Sequence, residues 1–260
     1  MPAASGQAPE AGIMLVGHGT RDDRGTRQFF QLGQQLAQRV APVPVQPCLL
    51  EFQQPTIPQA WSTLVQAGVR HIHVAPLLLF AAGHAKTDIP DLVKNCQNAT
   101  PGISFDQSRP LARHPAIVEL ACKRFAESIP PTSVPPARTA LVMVGRGSHD
   151  PCAQADMRVL TEVVRHRIPV AAAFTSFYAM AQPRLPDVID AVAASGRYDA
   201  IVVQPHLLFD GRLFQAIAGQ TQQARLRHPS VLFCLSSYLG PELQVARAIA
   251  NRVGCDDSVV

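Results

Sequence analysis

The sequence is poor in charge. Asp, Glu, Lys and Arg make up 16% of its 260 residues, against about a quarter in an ordinary globular domain. That excludes a charged coiled coil and a disordered acidic or basic tail. The net charge is +4, yet no Lys/Arg run and no basic stripe interleaved with aromatics is present, so nucleic acid is not the expected partner. A small positive excess suits an acidic small molecule instead. No apolar run approaches membrane-spanning length, and the opening MPAASGQAPE lacks the basic and apolar regions of a signal peptide, so a cytoplasmic protein is expected. The six cysteines (Cys48, Cys96, Cys122, Cys152, Cys234 and Cys255) form no CxxC pair. They are read as reduced thiols, and an iron–sulfur or structural zinc site is not expected. There is no GxxxxGK[ST], no GxGxxG between strand and helix and no GxSxG, so a nucleotide-phosphate loop and a serine nucleophile elbow are both missing.

What is present is apolar and duplicated. Hydrophobic residues make up 47% of the chain, enough for a full core in one large or two ordinary domains. GIMLVGHGTRD at 12–22 returns as ALVMVGRGSHD at 140–150, with Arg146 in the place of His18, an offset of 128 (146 − 18). EFQQPTIPQA at 51–60 aligns with AMAQPRLPDV at 179–188 at the same offset, and PLLLFAAGH at 76–84 aligns with PHLLFDGR at 205–212 after a one-residue slip. Three ordered matches at nearly one offset indicate an internal repeat. The join falls in SIPPTSVPPAR, 128–138, whose four prolines make a stiff non-helical linker. Two lobes are therefore expected, 11–128 and 137–253.

In each lobe short apolar runs alternate with helical patterns. In the first, strands are expected at 12–17, 43–50, 70–79 and 102–106, and helices at 25–40, 56–67, 87–98 and 114–128. VRHIHVAPLLLF, within 69–80, is apolar on both faces and reads as a parallel strand covered on both sides. This alternation predicts an α/β fold with a doubly wound parallel sheet in each lobe.

Ligands of such sheets bind beyond the carboxyl ends of the strands. His18, Glu51 and His84 follow the first, second and third strands of the first lobe and are expected to converge on one edge. Two imidazoles and a carboxylate suit a borderline divalent ion such as Fe2+, Co2+ or Zn2+, and open coordination positions leave room for a substrate. Taken singly, each has a structural reading: a turn histidine, or a carboxylate solvated at a helix start. The repeat supplies a control, because its aligned positions carry Arg146, Ala179 and Arg212. The paired glycines, Asp22/Asp150 and the prolines are kept while the three polar residues change together. Arg146 and Arg212 could clamp an anionic substrate with their planar guanidinium forks; Arg21, Arg24 and Lys86 could assist. His71 and His73, pointing one way on a strand, are read as structural, and His206 is the best candidate among the remaining histidines.

VGHGTRD, CLLEFQQPTI and PLLLFAAGHAKTDIP, followed by VGRGSHDP in the second copy, resemble the class II chelatases, and among them the long, duplicated sirohydrochlorin chelatases. The resemblance covers about 12–250. It implies two flavodoxin-like lobes facing across a cleft, with the active residues in one of them, so that a single chain can act as a monomer. It implies insertion of Fe2+ or Co2+ as substrate into sirohydrochlorin, a polycarboxylate tetrapyrrole, with no organic cofactor, in siroheme or cobalamin biosynthesis. The family's active-site histidines fall on His18 and His84 and its acidic residue on Glu51, as metal ligands and catalytic groups. Arg146, Arg212, Arg21 and Lys86 are the expected substrate-binding cations. Long cobalt enzymes of the family often carry a histidine-rich region or a terminal cysteine cluster; this chain has neither, which favours iron and leaves the cobaltochelatase as the alternative. A non-catalytic tetrapyrrole or metal carrier is a more distant reading, and a nucleotide-binding regulator more distant still.

Overall fold

A computed structural model describes residues 10–80, 87–130 and 134–255. Ala11–Gly17 forms strand β1 and is buried from Gly12 onward, because both of its faces are covered. It is followed by α1 (Asp23–Arg39), β2 (Val45–Leu49), α2 (Ile57–Gln66), β3 (His71–Pro76), α3 (Asp88–Ala99), β4 (Ser104–Gln107) and α4 (Pro115–Ser128). The second half repeats the order as β5 (Thr139–Gly145), α5 (Pro151–Arg165), β6 (Ala172–Phe177), α6 (Leu185–Ala194), β7 (Ala200–Pro205), α7 (Arg212–Arg227), β8 (Leu232–Leu235) and α8 (Leu243–Arg252). The expected strands and helices of the first half all form, with ends shifted by a few residues.

Each half builds a parallel four-stranded sheet, in the orders β2-β1-β3-β4 and β6-β5-β7-β8. The fold is α/β with two tandem lobes. In this order the chain leaves β1 toward one edge and crosses to β3 on the other side, so helices cover both faces and the strand order reverses at β1 and β3, the place where doubly wound sheets bind ligands at their carboxyl ends. On one face of the first sheet Met14, Val16, Ile72 and Val74 pack against Trp61, Leu64, Ile89 and Val93 from α2 and α3. The indole N–H of Trp61 donates to Thr100 Oγ1 at 2.9 Å, which satisfies the one polar atom of a large buried side chain. In the second unit the corresponding core is Val142, Val144, Ile201 and Val203 with Val188, Ile189 and Ile217.

The helices start where the sequence offers caps. Asp22 accepts from the Arg24 N–H and Asp150 from the Cys152 N–H, both at 2.9 Å, filling an otherwise unpaired donor of the first turn. Gln59 Oε1 accepts from the Thr56 N–H at 2.8 Å, the return half of a capping box.

Packing and repeat divide the chain at different points. The first compact unit comprises the described residues up to Leu111 together with those from Ala246 onward; the second comprises Ala112–Val245. Helix α4 thus precedes the proline linker but belongs to the second unit. There the Gln204 amide donates to Ala121 O at 2.8 Å, and Arg124 donates to Tyr238 O, Leu239 O and Glu242. Arg252 of α8 donates to Leu111 O at 3.3 Å in the first unit. One expectation needs correction: β3 is not covered on both sides along its length. Ile72 and Val74 are buried, while His71 and His73 on the opposite face remain partly open.

Candidate functional site

The turn after β1 is built by its neighbours. His18 and Gly19 lead to Thr20, whose Oγ1 accepts from the Asp22 N–H at 3.1 Å before Asp22 caps α1. Gly19 has φ +93°, and a Cβ there would lie 2.1 Å from Glu51 O. Only glycine allows this approach. It permits the Leu50 N–H to donate to Gly17 O at 2.9 Å and the Glu51 N–H to donate to His18 O at 3.1 Å. The loop after β2 is therefore laid directly on the loop after β1, and the main chain of Glu51 is tied to that of His18.

The same edge collects further groups. The Arg21 guanidinium lies over the Phe52 ring, 5.0 Å from its centroid, a cation–π contact that holds it beside the Glu51 loop. Glu51 and Arg21 are exposed and His18 is half-buried. The Leu77 N–H donates to Val16 O at 2.8 Å, bringing the chain that leaves β3 to the edge where β1 ends. His84 and Lys86 lie outside the described residues.

The second unit repeats the backbone and changes the side chains. Gly147 has φ +92°, and a Cβ there would lie 1.7 Å from Ala179 O. The Tyr178 N–H donates to Gly145 O and the Ala179 N–H to Arg146 O, both at 2.9 Å, and the His206 N–H donates to Val144 O at 2.8 Å. Arg146 and Arg212 are exposed, at the carboxyl end of β5 and at the first residue of α7 after β7. Adjacent strands β5 and β7 place both arginines on one edge of that unit.

Three other histidines have local roles. His206 is fully buried, and burial pushes its pKa down to about 4, so it is a neutral core imidazole. His114 caps α4, its Nδ1 accepting from the Ala116 N–H at 3.2 Å, and His228 Nε2 lies 2.9 Å from Asp190. Motif reading did not foresee the link between the His18 and Glu51 loops, because it runs through main-chain atoms. Its one trace in the sequence is the glycine after each of His18 and Arg146.

The CbiX family model matches residues 12–128 and again 140–255. The chain belongs to the CbiX family. It is 30% identical over 242 residues to the sirohydrochlorin ferrochelatase of Bacillus subtilis, covering 93% of this chain and 90% of that one. It is 29% identical over 234 residues to the sirohydrochlorin cobaltochelatase of Priestia megaterium, covering 89% of this chain and 76% of the relative. Among solved structures, SirB from Bacillus subtilis with Fe3+ superposes with a TM-score of 0.84 at 28% identity. SirB from Bacillus subtilis subspecies spizizenii in complex with cobalt superposes with a TM-score of 0.78 at 30% identity. Both comparisons cover 94% of each chain. In these CbiX relatives one architecture carries either iron or cobalt.

Proposed function

We infer that the protein is a sirohydrochlorin chelatase, a lyase-type metal chelatase that inserts a divalent metal into sirohydrochlorin, with Fe2+ the preferred metal substrate and Co2+ the alternative. We place the chemistry at the carboxyl edge of the first unit, on His18, Glu51 and His84. The supporting observation is the paired closure of the two loops. Glycine at 19 and the bond from the Glu51 N–H to His18 O hold an imidazole and a carboxylate on one edge, whereas the same closure in the second unit holds Arg146 and Ala179.

Insertion requires the metal to shed water and two pyrrole N–H protons to leave. A neutral imidazole can do either task, as ligand through its lone pair or as proton acceptor near neutral pH. Glu51, exposed beside it, adds a negative charge that favours the incoming cation and can take up a proton. Arg21, held by Phe52, stands beside them for a substrate carboxylate, and Lys86 is assigned the same role. Arg146 and Arg212, on the edge of the second unit, are assigned to substrate carboxylates through their guanidinium forks. No organic cofactor takes part. No described helix is long and apolar enough to cross a membrane, and a cytoplasmic monomer whose chain supplies both repeats fits this reading.

Metal preference is tested by following the absorbance of sirohydrochlorin with purified protein and each metal. Faster turnover with Fe2+ supports the iron assignment, and faster turnover with Co2+ reverses it. Unchanged insertion in both His18→Ala and His84→Ala overturns the site.

A further inference from the structure

The first sheet carries a second group of metal-ligating side chains, away from the edge described above. His71 and His73 are two apart on β3, so they share one face, and Asp106 on β4 pairs with His73 in register. His71 Nε2 and His73 Nδ1 both lie 3.0 Å from Asp106 Oδ2, and the imidazole centroids are 4.6 Å apart. One ligand atom from each residue falls in a group whose members are all within 4.8 Å of one another.

We propose that His71, His73 and Asp106 form a binding site for a borderline divalent cation of the Zn2+, Co2+ or Fe2+ class. Two imidazoles and one carboxylate are a donor set for such ions. Donors about 2.1 Å from one ion in a tetrahedral array are roughly 3.4 Å apart, and the two His–Asp spacings of 3.0 Å are close to that. His71 Nδ1 is 2.7 Å from Ser104 Oγ, so the nitrogen not facing the site has an oxygen to receive its proton, the outer partner that fixes a ligating imidazole. The side chains are 34%, 23% and 55% exposed for His71, His73 and Asp106, so an ion can enter and solvent can fill the remaining positions.

The repeat isolates this group as it does the first. The pair Ala200 and Leu232 in the second unit corresponds to His71 and Ser104, and Val202 and Cys234 correspond to His73 and Asp106. Ala200, Val202 and Cys234 are buried, so the fold needs no polar group there. β1 and β3 run in parallel, with His71 beside Ala11 and His73 beside Ile13. His18 follows the far end of β1, some 15–20 Å away at about 3.3 Å per residue. One ion cannot touch both sites.

The test uses the full chain with His18→Ala and His84→Ala, which removes the proposed insertion ligands. Co2+ is titrated by calorimetry and visible absorption. One ion per chain is expected to remain bound, weakened at least tenfold by adding His71→Ala with His73→Val, residues that the second unit already carries, and about 10–100-fold by Ser104→Ala. Equal Co2+ binding with and without the His71/His73 changes overturns the proposal. In the unaltered protein, Zn2+ is expected to shift the ring 15N resonances of His71 Nε2 and His73 Nδ1. Unmoved resonances at saturating Zn2+ leave a hydrogen-bonded His–Asp–His group only, which also overturns it. The His18/His84 assignment is judged separately, by whether those two changes remove one Co2+ from the wild-type count.

Discussion

The turn at His18-Gly19 and the turn at Arg146-Gly147 have one backbone and two chemistries. In both, a strand ends in glycine, the next residue accepts a main-chain hydrogen bond from the loop after the neighbouring strand, and a second glycine at φ near +90° lies on that loop. In both, an aspartate then caps the helix. The difference is confined to side chains that the closure presents: His18 with Glu51 in one unit, Arg146 with Ala179 in the other. The closure is therefore a property of the fold, and His18 is not required to make it. A residue that the scaffold does not need, in a place where the scaffold presents it, is best explained by what it does.

Exchanging the two residues breaks the comparison most severely. In a His18→Arg, Arg146→His protein the insertion rate should fall by about 100-fold or more, the scale of a lost acid–base group. The histidine created in the second unit should not restore it, because Ala179 supplies no carboxylate. Recovery of activity in the exchanged protein would show that the units are equivalent.

Stability against pH separates the units differently. His206 is kept neutral in the second unit, with its pKa near 4, at the position that Leu77 occupies in the first. The unfolded chain binds a proton near pH 6.5 and the folded chain does not until about 4. Stability is therefore lost as pH falls through that window, by about 3 kcal/mol in all. Denaturation of His206→Leu between pH 7 and 4 should show a flatter dependence than wild type; an unchanged slope removes His206 as the cause.

Gly19→Ala and Gly147→Ala sharpen the comparison because they impose the same clash. Each should cost roughly 1–3 kcal/mol of stability, measured by chemical denaturation. Only Gly19→Ala should also lower the insertion rate of the folded protein strongly. A smaller effect is expected for Arg146→Ala and Arg212→Ala: KM for sirohydrochlorin rises about tenfold or less while kcat is nearly kept, the pattern of lost uniform binding. Smallest is the pair of caps. Asp22→Ala and Asp150→Ala should each cost about 1 kcal/mol, and equal losses would confirm that capping is shared scaffold.

Much of this was legible in the sequence, for physical reasons. The alternation of apolar runs and amphipathic stretches reports burial, so β1, α1, α2 and the parallel sheets could be read directly. Repetition did more, because aligning GHG with GRG separates what the turn needs from what it carries. Three features could not be read. The Glu51–His18 bond uses main-chain atoms, which carry no sequence signature beyond Gly19. The packing of α4 with the second unit depends on contacts such as Gln204 to Ala121, which span the linker. The His71/His73 face of β3 looked like one half of a buried strand, because an imidazole counts as neither apolar nor charged in a hydropathy pattern; only the register with β4 sets Asp106 opposite them.

The most direct test of the central claim is the initial rate of sirohydrochlorin metallation, measured side by side for wild type, His18→Ala and Arg146→Ala, each shown to be folded. The account predicts a loss of about 100-fold or more in kcat for His18→Ala and a kcat near wild type for Arg146→Ala. A His18→Ala protein that turns over at the wild-type rate, or equal losses in both variants, would contradict it.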